Sequence, residues 1–183
     1  FRVLMRQISK RALLYTEMIV AQALYHSKKI NYLLDFNEIE HPISLQIGGD
    51  NPKHLALATQ LAKEWGYDEV NLNVGCPSSR VQSGKFGACM MADPELVAKC
   101  IEAMVKATDL PITIKHRVGI DNLGDHSFLL NFVDKISSAG AKRFSIHARK
   151  AWLNGLNPKQ NREIPPLEYE KVEYIKQKRP DLK

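Results

Sequence analysis

Apolar positions fall into two alternating rhythms along this chain. Five short β-rich runs cover residues 13–18, 43–47, 69–74, 112–118 and 143–148. Between them, apolar residues recur at helical spacing. Leu55, Ala58, Leu61, Ala62 and Trp65 form one such face, with Asn51 as its N-cap, Pro52 at the first helical position and Gly66 at its end. Leu96, Val97, Cys100, Ile101 and Met104 form the next, begun by Asp93-Pro94. Further helical patterns cover 126–139 and 168–178, and the first residues of the chain also read as helix. The polar stretch 154–166 reads as a functional loop or a crossover.

Strand alternating with helix through short turns predicts a parallel sheet with helices outside it. A doubly wound sheet and a (β/α)8 TIM barrel both accommodate this count. The polar residues favour the barrel, incomplete in this chain. Gln46, Asn73, Cys76, Lys115, Arg117 and His147 fall at or near the C-terminal ends of successive strands, where barrel active sites are built. No G-x-G-x-x-G follows a strand, which weakens the dinucleotide-fold option. The chain opens at Phe1 within one helical pattern and stops at Lys183 just after another, so it reads as a fragment of a longer protein.

Composition adds little to the fold and something to the partner. No apolar run approaches the roughly 18 residues that span a membrane, and none resembles a signal-peptide core. The expectation is a cytoplasmic protein without membrane contact. A net charge of +6 leaves two options open, a polyanionic partner or an ordinary basic surface. Cysteines 76, 89 and 100 lack zinc-finger spacing, so neither a metal site nor a disulfide framework is expected. Oligomeric state leaves no mark on the sequence.

The chemistry concentrates in the stretch from Asn71 to Met90. A short alternating strand, 69–74, runs into Gly75-Cys76-Pro77 and then a Gly-rich loop. Gly75 permits a tight backbone and Pro77 fixes the exit, which holds the thiol at a defined point at a strand end. Such a thiol serves as nucleophile, metal ligand or general acid. Cys100 and Cys89 read as packing residues. Lys115 and His147 each interrupt an otherwise apolar strand. Together with Gln46 they outline a pocket of donors and cations suited to the electron-rich edge of a reduced flavin, or to a phosphate. Arg149-Lys150-Ala151-Trp152, with Lys159 and Arg162 beyond, mixes cations with an aromatic ring, as nucleic-acid contacts do and as solvated loops also do.

These blocks resemble the tRNA-dihydrouridine synthases, flavoenzymes built on a (β/α)8 barrel. The resemblance is carried by Leu14-Tyr-Thr-Glu-Met18, Leu45-Gln-Ile-Gly-Gly49, Asn71-Leu-Asn-Val-Gly-Cys-Pro77, Val81-Gln82, Phe86-Gly-Ala-Cys89, Ile114-Lys115 with Arg117, and Ile146 to Trp152. His147 to Leu153 and Asn161 to Pro166 are similar to the A-type branch, which modifies positions 20 and 20a of the tRNA D-loop. The resemblance implies that Cys76 is the catalytic thiol, giving a proton to C5 of a uracil while reduced FMN gives hydride to C6. It implies that Gln46, Lys115 and His147 contact FMN, that Asn73 holds the target uracil and that NADPH re-reduces the flavin. Arg149, Lys150 and Arg162 are the candidate tRNA contacts. It further implies that a first barrel strand, the last strands and a C-terminal helical tRNA-binding domain lie outside residues 1–183. On that basis the fragment alone is expected to bind FMN weakly and to be inactive.

Two other classes fit part of this pattern. One is another FMN barrel oxidoreductase acting on a free pyrimidine, of the dihydroorotate or dihydropyrimidine dehydrogenase kind. The other is a non-enzymatic basic RNA-binding module. The loop after Cys76 and the basic segment 149–162 favour the RNA enzyme.

Overall fold

Alternate residues of four neighbouring strands sort into an apolar outer face and a polar inner face. The computed structural model describes residues 1–183. A short helix α1 (Arg2–Ile8) precedes β1 (Leu14–Tyr15), β2 (Ile19–Val20), α2 (Ala21–His26) and α3 (Ile30–Leu34). Then follow β3 (Ile43–Gly48), α4 (Pro52–Glu64), β4 (Glu69–Val74), α5 (Ser79–Ser83), a 3-10 segment (Gly87–Ala92) and α6 (Pro94–Ala107). The chain continues through β5 (Ile112–Arg117), α7 (His126–Ser138), β6 (Phe144–His147), α8 (Gln160–Glu163) and α9 (Tyr169–Lys178). All strand pairs are parallel, in the order β1-β3-β4-β5-β6, with β2 also on β3.

The outer face carries Ile43, Leu45 and Ile47, then Val70, Leu72 and Val74, then Ile112 and Ile114, all buried. Against it pack Leu55, Ala58 and Ala62 of α4, Val97, Ile101 and Met104 of α6, and Leu129, Phe132 and Ile136 of α7. Each fully buried Leu, Ile or Phe contributes about 1.5–3 kcal/mol. The caps agree with the periodicity. The Asn51 side chain accepts from the amides of Lys53 at 2.9 Å and His54 at 3.3 Å, and Asp93 accepts from Leu96 at 3.0 Å.

The inner face is polar throughout. Register sets Ser44 beside Glu69, Gln46 beside Asn71, Asn73 beside Lys115, and Arg117 beside His147. A doubly wound sheet would need apolar residues and helices on both faces. Here the helices α4, α6 and α7 cover one face and the other curls round its own polar side chains. The chain is an incomplete TIM barrel. At the barrel floor the Glu69 carboxylate, 3% exposed, pairs with Arg143 and accepts from Tyr15 Oη at 3.2 Å, Ser44 Oγ at 3.0 Å and Thr113 Oγ1 at 2.8 Å.

One expectation is corrected. Residues 13–18 do not form a single strand but fall into β1 and β2, broken at Thr16-Glu17-Met18. Leu14 pairs with Ile43 and Ile19 with Ile47, so five steps on one strand face four on the other. That is a bulge. Thr16 causes it: its amide donates to Ser44 O at 3.0 Å, and its hydroxyl takes the place of a ladder carbonyl by accepting from Gln46 N at 3.0 Å. The stretch 154–166 also gains a short helix, α8.

Candidate active site

The thiol turn at the end of β4 is fixed on every side. Asn73 Oδ1 accepts from the amides of Gly75 at 3.1 Å and Cys76 at 3.0 Å. Cys76 O accepts from Ala88 N at 2.9 Å. Gly87 makes that last bond possible: its φ of +76° suits glycine, and a Cβ there would lie 2.6 Å from Cys76 O. Hence the Gly-rich continuation is required to close over the turn. Cys76 itself is half-buried, whereas burial pushes the Cys100 thiol up to about 12 on the apolar face of α6. Of the three cysteines, Cys76 alone opens into the pocket described next.

That pocket has a volume of about 300 Å³ at the C-terminal ends of the strands. Asn73, Cys76, Lys115, Arg117, His147 and Arg162 line it, and no carboxylate does. The cations shape one another. His147 is pushed down to about 4, first by burial and then by Arg117 and Lys115. It is therefore neutral near pH 7, with one ring nitrogen to donate and one to accept. Burial lowers Arg117 to about 10, and burial together with Arg117 holds Lys115 below its usual value. A larger cavity, about 490 Å³, opens at the opposite end beside Glu69 and Arg143. It holds no thiol, and that end of a barrel serves stability.

A ladder of side chains links the floor to this pocket. Thr113 Oγ1 donates to Glu69 at 2.8 Å and accepts from Asn71 Nδ2 at 2.9 Å. Gln46 Nε2 donates to Asn71 Oδ1 at 3.0 Å, and Asn73 Nδ2 donates to Gln46 Oε1 at 2.9 Å. The ladder then ends on the amides of the thiol turn.

The family model for dihydrouridine synthase matches residues 1–182. The chain belongs to the dihydrouridine synthase family. It is 54% identical over 182 residues to the tRNA-dihydrouridine(20/20a) synthase of Synechocystis sp., a match covering 100% of this chain and 54% of that protein. It is 53% identical over 182 residues to the enzyme of that name from Shewanella oneidensis, with 100% and 54% covered. The Haemophilus ducreyi enzyme of that name is 55% identical over 177 residues, with 97% and 54% covered. The chain thus spans about half the length of the curated relatives it matches.

Within this dihydrouridine synthase fold, the sequence-predicted residues Asn73, Cys76, Lys115, His147 and Arg162 share one pocket. Gln46 stands beside it, one hydrogen bond from Asn73. Arg149 and Lys150 are placed differently. The Arg149 guanidinium donates to Pro165 O, and Lys150 Nζ donates to Asp121 O at 3.3 Å, so both hold the loop on which they sit. Arg162 is exposed at the pocket rim. Sequence reasoning missed the fasteners. Buried Asn161 stitches its loop together by accepting from Trp152 N at 2.8 Å and donating to Trp152 O at 2.9 Å. Gln82 and Arg117 fasten that loop to the thiol turn. Their partners are main-chain carbonyls, which no residue pattern announces. No helix is long and apolar enough to cross a membrane.

Proposed function

We propose that this chain is the catalytic portion of a longer enzyme that reduces the C5=C6 bond of uridines at D-loop positions 20 and 20a of tRNA to dihydrouridine. The observation that carries the proposal is the Cys76 thiol, held at the mouth of a carboxylate-free cationic pocket in a chain with relatives named for that reaction. The pocket fits a flavin in its chemistry. Lys115 and the donor nitrogen of neutral His147 suit the electron-rich edge of a reduced isoalloxazine, and Gln46 keeps an amide hydrogen for it. FMN, when bound, supplies hydride, and NADPH restores it.

This chain's own residues then do three things. Asn73, already bonded through its oxygen to the thiol turn, offers its remaining N–H to a uracil carbonyl. Cys76 gives its proton to C5 of that base, a general-acid role that requires the neutral thiol. Arg162 meets the RNA backbone at the rim, with Arg149 and Lys150 shaping the loop that presents it. The target base lies stacked in folded tRNA, so it must be turned out into the pocket. On the same reading, the remaining barrel strands and a helical RNA-binding domain lie outside residues 1–183, in keeping with a match that covers 54% of the Synechocystis protein.

The test is dihydrouridine mapping in tRNA from cells whose full-length protein carries Cys76→Ala. Loss at positions 20 and 20a is expected. Full retention would overturn the assignment of Cys76. Reduction of a free pyrimidine in preference to a tRNA transcript would point instead to the dihydropyrimidine dehydrogenase type of reaction.

A further inference from the structure

Arg117 poses a physical problem. Arg117 is 3% exposed, and its guanidinium forms no ion pair with any carboxylate. A buried cation without a counter-ion is costly, and an apolar residue of similar size would fill that space more cheaply. Its partners are three main-chain oxygens. Nε donates to Gly75 O at 3.1 Å, and Nη1 donates to Lys150 O at 3.1 Å and Asn161 O at 2.8 Å. Gly75 belongs to the thiol turn. Lys150 and Asn161 bracket the segment after β6 that runs into α8, where Arg162 follows Asn161 directly.

Gln82 repeats the arrangement from the other side of the thiol. It stands on α5, and its Nε2 donates to Pro77 O at 2.9 Å and to Leu153 O at 2.9 Å. Both acceptors are carbonyls, so the amide orientation is unambiguous. The carbonyls just before and just after Cys76 are thus each tied to the loop that carries Arg162. That loop is already stiff internally through Asn161. Ala151 also extends the tie, donating to Gly119 O at 3.0 Å and accepting from Asp121 N at 2.9 Å.

We infer that Arg117 and Gln82 are positioning residues that lock the RNA-facing loop 150–161 to the thiol turn, so that the group gripping RNA and the group giving the proton keep one fixed separation. The inference rests on the functional reading above. A base presented by the loop then arrives at a set distance from the thiol. Displacing the two by about an ångström slows the proton transfer without weakening the grip on RNA, and displacements of that size cost up to about a hundredfold.

The experiment uses the full-length, flavin-loaded enzyme with Gln82→Met, which keeps the length of the side chain and removes both donors, and with Arg117→Lys, which keeps the charge and removes the fork. In single-turnover mixing of Gln82→Met, which lies outside the pocket, reduction of the flavin by NADPH without RNA should stay within about twofold of the parent. Its reoxidation by saturating tRNA should slow about tenfold in Gln82→Met and further in Arg117→Lys, with tRNA affinity preserved. Adding Gln82→Met to Cys76→Ala should slow reoxidation no further, because the thiol is the group misplaced. In cofactor-free protein without RNA, amide hydrogen exchange across 150–161 should quicken about tenfold in Gln82→Met while β3 and β4 keep their protection. Parental reoxidation in Gln82→Met, multiplicative slowing in the double variant, or unchanged exchange would each overturn the inference. Cys76→Ala reoxidising at the parental rate would instead remove the reading of the thiol, and the exchange result would still decide the tie. Should Arg117→Lys fail to fold, Gln82→Met decides alone.

Discussion

The two ends of the polar inner face share strands β4 and β5 and solve opposite problems. At the floor, the buried Glu69 carboxylate is met by Arg143, Tyr15, Ser44 and Thr113, so its charge is balanced and its lone pairs are filled. At the mouth, Lys115, Arg117, His147 and Arg162 face one space with no carboxylate among them. Moving along each strand by four residues turns a closed network into an open one. The floor is complete without a ligand, and the mouth waits for something electron-rich.

That contrast can be broken most sharply at the thiol. Cys76→Ala in the full-length enzyme should lower tRNA-dependent flavin reoxidation by about 10² to 10⁴-fold while leaving the midpoint of urea unfolding nearly unchanged. The floor should answer in the opposite sense. Glu69→Ala strands three hydroxyls and a guanidinium and should cost about 3 kcal/mol of stability, read from urea unfolding. Lys115→Ala should shift that unfolding by no more than about 0.5 kcal/mol. Its loss should appear in flavin affinity. Equal destabilisation by both would erase the distinction between the two ends.

Two histidines give the contrast a pH dependence. His116 lies on the outer face, 5.1 Å between ring centroids from Phe132, and donates from Nδ1 to Arg117 O at 2.7 Å. Its Nε2 is buried without a partner, and burial pushes it down to about 4, where His147 also lies. Both titrate below the ordinary histidine value, so the unfolded chain binds more protons between about pH 6.5 and 4. The histidines' contribution to stability should therefore be flat above about pH 6.5, fall as pH drops towards 4, and level off below. Urea midpoints across that range check it, and His147→Gln should flatten part of the slope. The smallest effect belongs to the rim. Arg162→Ala should weaken tRNA binding about fivefold and reduce its salt dependence by roughly one counter-ion. Arg149→Ala should act through loop order instead and leave that salt slope as it was.

The sequence made some of this legible and hid the rest for identifiable reasons. β4 and β5 announce themselves by alternation and by punctuation at Gly66 and Pro111, and their ends match expectation to within a residue. The break between β1 and β2 was hidden because a single hydroxyl, Thr16, replaces a backbone carbonyl, and a threonine in a strand looks ordinary. The pocket residues were visible because strand ends are few and polar residues there are conspicuous. The roles of Gln82 and Asn161 were invisible because they bind carbonyls that only the folded chain brings near. Charge alone grouped Arg149 and Lys150 with Arg162, and only geometry separates those that hold the loop from the one that meets solvent.

The ladder from Glu69 to the thiol turn has a direction. A carboxylate can only accept and a peptide amide can only donate, so the two ends of the ladder impose the same polarity on everything between. Thr113 must give its proton downward, and the amides of Asn71, Gln46 and Asn73 must all point the same way round. None of them can turn over without leaving like facing like. Each of Gln46 and Asn73 therefore keeps one amide hydrogen that the ladder does not use. The amides nearest the thiol are thus oriented from below by a buried acid that lies outside the pocket.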